Sequence, residues 1–282
     1  MTTKTSVRTI YGALVQSALR WNDPLKILPN STLNQKFDVL PDSLPYDGEK
    51  VYTKYLAIGL KGITIELNQG LYKVNFRNYL PSNASLFKHC PFIMRRLTED
   101  LTPSERARYR MRKIEEFNGV SYACYYLRVI DNDGVAADAE KRQTINGLVT
   151  PDSWEPTLND LNPNPDVIDP NQQVANGDEY LAASKKIKIV FTPDDIQELI
   201  AAVTIIYGDP GFAELSEFGL VSGVDRQTTG DFGGVSQAYT EAVYAQVNDF
   251  LRARVSAPDN LGGKILNLDA GSVEPLLLTS NN

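Results

Sequence analysis

His89 and Cys90 are neighbours in a chain that has no other histidine and one other cysteine, Cys124. A thiol beside an imidazole invites two chemistries, nucleophilic catalysis and zinc binding. Structural zinc takes four ligands, and these three residues supply at most three. A Cys–His enzyme needs the two groups to face each other, but adjacent residues on an extended segment point to opposite sides. The expected role of His89 is packing, ahead of a turn at Pro91.

Two short motifs fail for want of companions. Asp231-Phe232-Gly233 has the form of the metal-binding triplet of protein kinases, yet no glycine-rich loop with its lysine and no catalytic-loop aspartate precede it. Asp131-Asn132-Asp133-Gly134 has part of a calcium loop. It lacks the third oxygen ligand and the late glutamate, so a turn is expected. The loop around the first motif, Gly230 to Gly234, precedes an expected helix and would there suit a small anion. Spacing thus nominates no catalytic, cofactor-binding or metal-ligating residue.

The anomaly is a basic run, Arg106, Arg108, Arg110, Arg112 and Lys113, preceded by Arg95 and Arg96, in a chain of formal net charge -7. Thr102-Pro103-Ser104-Glu105 opens it with a capping box and a proline at the first helical position. That predicts a helix to about Phe117, stopped by Asn118-Gly119. On a helix, alternating arginines spread over several faces. They would either pair with Glu105, Glu115 and Glu116 in solvent or meet an acidic partner. These seven basic residues are the interface candidates. The acidic balance of the whole chain argues against direct nucleic-acid contact, which needs a basic face.

The elements that would hold these residues are mixed in kind. Val7 to Trp21 has the apolar spacing of a short amphipathic helix, ended by Asn22-Asp23-Pro24. Pro24 to Gly48 carries four prolines and no period, which predicts an extended arm on its own surface or a neighbour's. Val51 to Phe76 reads as a β-meander, and Val120 to Ile130 as a strand central in its sheet. Thr150 to Asp178 is rich in Pro, Asn and Asp and reads as a linker or excursion. From Ser184 to Val273 the pattern is regular: a strand to Phe191, a capped helix from Thr192, and a stop at Gly208. A short strand (Phe218 to Val221), the glycine loop, an amphipathic helix (Tyr239 to Leu251) and a strand (Lys264 to Leu268) follow.

The expected fold class is α+β, with mixed or antiparallel sheets, a few amphipathic helices and long extended arms. Four segments are expected: 1–49 (helix and arm), 50–149 (β-rich, with the basic helix), 150–183 (linker) and 184–282 (α+β module with an apolar tail). An apolar share of 42% suffices for a core. No run of eighteen apolar residues predicts a membrane span, the first residues do not read as a signal peptide, and two cysteines suit a reducing cytosol.

Several stretches together resemble virion structural proteins of large contractile-tailed bacteriophages. They are Lys50-Val51-Tyr52-Thr53-Lys54-Tyr55-Leu56-Ala57-Ile58-Gly59, His89-Cys90-Pro91-Phe92-Ile93-Met94-Arg95, Leu101-Thr102-Pro103-Ser104-Glu105-Arg106 and Gly230-Asp231-Phe232-Gly233-Gly234. The resemblance covers about residues 50 to 278 and carries no functional residue. It implies a tail, baseplate or neck component, assembled in the host cytoplasm and resident in the virion. Its partners would be copies of itself and other virion proteins, without a cofactor. The competing expectation is an α+β enzyme or small-anion-binding protein that uses the Gly230–Gly234 loop at a helix start.

Overall fold

A computed structural model describes residues 6–68, 71–131, 136–145, 148–162, 174–232 and 234–279. Its elements in chain order are β1 (Ser6–Arg8), α1 (Ile10–Trp21), α2 (Leu33–Phe37), β2 (Tyr52–Gly59), β3 (Ile63–Asn68), β4 (Leu71–Phe76), β5 (His89–Cys90) and β6 (Ile93–Arg96). Next come α3 (Pro103–Arg106), β7 (Tyr109–Phe117), β8 (Val120–Val129), β9 (Asp138–Ile145), β10 (Leu148–Ser153), α4 (Leu158–Leu161), β11 (Val174–Phe191) and α5 (Pro193–Tyr207). The last are β12 (Glu214–Leu215), β13 (Glu217–Phe232), β14 (Val235–Leu251), β15 (Val255–Ser256) and β16 (Lys264–Thr279). The fold is α+β, built on antiparallel sheets.

Two compact units divide the chain. One comprises Met1–Asp131 with Val190–Ile265, the other Asn132–Ile189 with Leu266–Asn282. These limits differ from the four expected segments, because the 184–282 stretch contributes to both units. The first unit is organised on a sheet in the order β1-β14-β13-β2-β8-β6, with β5 on β2 and β7 on β8. The second holds the sheet β10-β9-β11-β16. Within it Arg142 bridges Glu140 and Asp269, and Lys186 also reaches Glu140.

Several expectations hold. α1 ends at Asn22, which adopts a left-handed φ of 53°. α5 starts with the Thr192–Asp195 capping box and stops at Gly208. β8 is internal, paired with β2, β6 and β7. The Pro24–Gly48 arm lies on its own unit but is not extended throughout, since Thr32 caps the short helix α2: Leu33 and Phe37 are buried, and the Asn34 side chain bonds the backbone of Ala242 and Ala245 on β14.

Other expectations are corrected. The meander is not continuous, since β3 and β4 pair only with each other while β2 belongs to the large sheet. The expected helix over Tyr239–Leu251 is strand β14. Ala242 to Asn248 are all buried, so the strand shows no apolar–polar alternation, and its apolar positions happened to fit a helical stripe. The Phe218–Val221 strand continues to Phe232, and Gly234 turns it into β14 at a φ of 86°. The Gly230–Gly234 loop therefore precedes no helix, which removes the helix dipole that the anion-binding alternative required. Thr150–Asp178 is no simple linker, because it contains the end of β10, α4 and the start of β11. The Asn132–Gly134 turn, Gly233 and residues 163–173 of the expected linker lie outside the described residues.

Candidate assembly surface

The basic run forms no helical face. Its capping box is present, with Thr102 and Glu105 exchanging bonds, but α3 lasts four residues before β7 begins. From Arg108 to Met111 basic residues alternate with the buried Tyr109 and Met111, the period of a strand, whereas Arg106 is buried at the end of α3. A register shift between Met111 and Arg112 breaks that alternation, and Arg112 is buried too.

The candidate basic residues mostly meet partners inside the first unit. Arg112 donates to Asp100 at 2.7 Å, with both side chains buried, and Tyr125 donates to the same carboxylate. Arg95 holds Glu198 through both terminal nitrogens. Arg108 and Arg128 converge on Asp195 at 3.0 and 3.1 Å, joining β7 and β8 to the start of α5. Arg110 pairs with Asp225, Arg106 bonds Gln237, and Lys113 pairs with Glu115. Arg96 is exposed. Of the expected acidic partners, Glu115 pairs with Lys113, and Glu105 caps α3. Most of these residues thus tie the strands of the first unit to one another and to α5.

His89 and Cys90 are buried on β5. The His89 Nε2 accepts from the Leu86 N–H at 3.2 Å, and its ring meets Phe37 edge-on. Burial pushes the imidazole down to about 3 and the Cys90 thiol up to about 12, so both are neutral packing groups at pH 7. Among the described residues no cluster of His, Cys, Asp and Glu could hold a metal ion. A small cavity of about 210 Å³ lies beside β7 and contains Glu241. Burial raises that carboxyl to about 8, against the Arg112 backbone N–H that donates to it.

The surface that does stand out is the β3–β4 ribbon. Its register places Ile63 opposite Phe76, Ile65 opposite Val74 and Leu67 opposite Tyr72. Because side chains alternate along a strand, these six apolar residues share one face. The other face carries Thr64 with Asn75, Glu66 with Lys73, and Leu71, itself 76% exposed, opposite Asn68. The apolar face is open to solvent: Ile65 is 56%, Leu67 66%, Tyr72 77% and Phe76 42% exposed. Two-stranded ribbons are marginal in water, and a clustered apolar face on one marks a contact surface. The strand pattern of 63–67 was legible in sequence, but only the pairing register shows that 72, 74 and 76 extend the same face.

The ribbon is held firmly at its root. Glu217, fully buried at the start of β13, accepts from the N–H groups of Lys61, Phe87 and Lys88 at 2.9, 2.7 and 3.1 Å, and from the Tyr79 hydroxyl. Gly62 donates to Ser216 Oγ, and Arg77 closes the ribbon by donating to the Gly62 carbonyl. A Cβ on Gly62 would overlap the Ser216 carbonyl, so the close approach requires glycine. Tyr79 stacks between Phe87 and Phe250. An exposed apolar face on a rigid root is preorganised for contact.

Fold and surface together define an α+β protein that presents an amphipathic β-ribbon. The chain belongs to a family of unknown function (DUF7208), whose model matches residues 1–282. No curated protein and no solved structure matches it. No helix among the described residues is long and apolar enough to cross a membrane.

Proposed function

We propose that this chain is a structural subunit that joins an assembly through the β3–β4 ribbon. The observation that carries the reading is the ribbon's apolar face, open to solvent on a root pinned by the buried Glu217. A catalytic loop or lid would need polar groups converging on a cavity, whereas this face is built for burial against another surface. Most of the basic run, nominated from sequence as interface candidates, meets partners within the first unit, so we place the contact surface on the ribbon instead.

The assembly we propose is the contractile tail, baseplate or neck of a bacteriophage virion, with copies of this chain and other virion proteins as partners. That part rests on the resemblance carried by Lys50–Gly59, His89–Arg95, Leu101–Arg106 and Gly230–Gly234. Gold-labelled antibody against this chain, applied to purified particles, tests it. Label confined to the tail, baseplate or neck supports the assignment, and particles free of label end it.

A further inference from the structure

We infer that the ribbon of one copy seats in a cleft on the next copy of the same chain, in a head-to-tail contact. This inference rests on the structural-subunit reading and names the partner of the ribbon. The cleft, of about 590 Å³, lies between α1 and the segment leading into β2. Its apolar wall includes Val15, Leu19, Ile27 and Tyr46, and the last three are 42%, 44% and 65% exposed. The first unit therefore carries a convex and a concave apolar surface, each partly open to solvent, with Arg226 stacked on Tyr46 at the cleft.

Charge, area and position favour pairing these two surfaces. Asp23, Asp47 and Glu49 line the cleft with Lys50, and Arg226 pairs with Glu49 and stacks on Tyr46, which leaves the rim one charge negative. Lys61 and Arg77 flank the root of the ribbon and make it positive, while Glu66 and Lys73 face each other on the opposite side. At about 200 Å² for a large side chain, the ribbon face leaves roughly 500 Å² of apolar surface open. That is close to the apolar share of an interface burying about 800 Å² per partner. The cleft ends at Val51, just before β2, and the ribbon begins just after β2 ends at Gly59. Eight residues of strand separate them by roughly 26 Å. Complementary surfaces at opposite ends of one strand cannot meet within one copy, and between copies they give a heterologous contact, which closes into rings or continues as a filament.

Single cysteines test the pairing in the full chain. The native thiols stay silent, since both are buried and pushed up to about 12. Leu67→Cys in one preparation and Leu19→Cys in another are mixed under mild oxidation, with Glu66→Cys on the polar ribbon face as control. The expected result is a disulfide dimer from the Leu67→Cys and Leu19→Cys mixture at least tenfold above either variant alone, and none from Glu66→Cys. A Leu67→Cys homodimer would mean that ribbons pack on each other and would overturn the cleft as the seat. No mixed dimer from a chain that light scattering shows to be oligomeric would overturn the pairing while leaving the subunit reading intact. No mixed dimer from a monomeric chain would overturn both.

Discussion

The Tyr79 hydroxyl donates to the carboxylate of Glu217, 138 residues away and fully buried. Burial, and then the neighbouring carboxylate, push the phenol well above its ordinary range, so it is a donor at neutral pH. Tyr79 follows the ribbon, Lys61 precedes it, and both end on Glu217. One acidic residue in β13 thereby clamps both ends of the candidate contact element.

Replacing Glu217 with Gln keeps the shape but turns an amide N–H₂ toward groups that are themselves donors. Charge-assisted bonds contribute about 1.5–3 kcal/mol each, and an unsatisfied buried donor costs about 1–3 kcal/mol. Glu217→Gln should therefore lower unfolding free energy by about 3 kcal/mol in urea titration. It should also speed amide exchange at Ile63 to Phe76 before the rest of the sheet. Uniform exchange would show that the clamp is not local.

The basic run separates into structural and free members. Arg112 and Asp100 form a buried pair, so Arg112→Glu or Asp100→Ala should cost about 3–5 kcal/mol. Arg96, exposed on β6, should tolerate Glu within about 0.5 kcal/mol. Thermal melts of the variants check the ordering. An unperturbed Arg112→Glu melt would contradict the placement of this residue inside the sheet.

Two buried groups shape the response to pH. Glu241 has its folded value raised to about 8, so its contribution is complete below the unfolded carboxylate value and is lost as pH rises through 8. His89 has its folded value lowered to about 3, so its contribution is complete above the unfolded imidazole value of about 6.5 and is lost as pH falls. For these two groups stability is level between about 4.5 and 6.5, because their opposite slopes cancel, and declines on either side. The alkaline decline is on the order of 2 kcal/mol between about pH 6.5 and 8, at about 1.36 kcal/mol per unit. Glu241→Gln should abolish that decline in chemical denaturation at stepped pH. A variant that keeps the wild-type slope would remove Glu241 as its source.

How far the sequence foretells this arrangement depends on what each signal measures. Caps are local, so α1 ends at Asn22 and α5 runs from Thr192 to Gly208 as their residues dictate, whereas α2, capped by Thr32 inside a stretch without period, was not expected. Thr102 misled for the same reason: its capping box forms as read, but a box starts a helix without fixing its length, and the alternation from Ala107 to Met111 ended it. β14 was misread because α1 and α2 both pack against it, and a strand without a wet face has no period of two. The candidate surface was half legible. The alternation of Ile63, Ile65 and Leu67 was visible, but their alignment with Tyr72, Val74 and Phe76 depends on register. The Glu217 clamp, joining positions far apart in sequence, has no local signature at all.

The most direct test of the assembly account is the mass of the intact chain by light scattering over a concentration series, beside Leu67→Glu/Tyr72→Glu. Both positions are exposed, so the double variant should melt with the wild type. The account predicts that the wild type rises above the 31.3 kDa of one chain and that the variant stays at that mass. A wild type that remains at 31.3 kDa at every concentration, or a variant that associates as the wild type does, would contradict it.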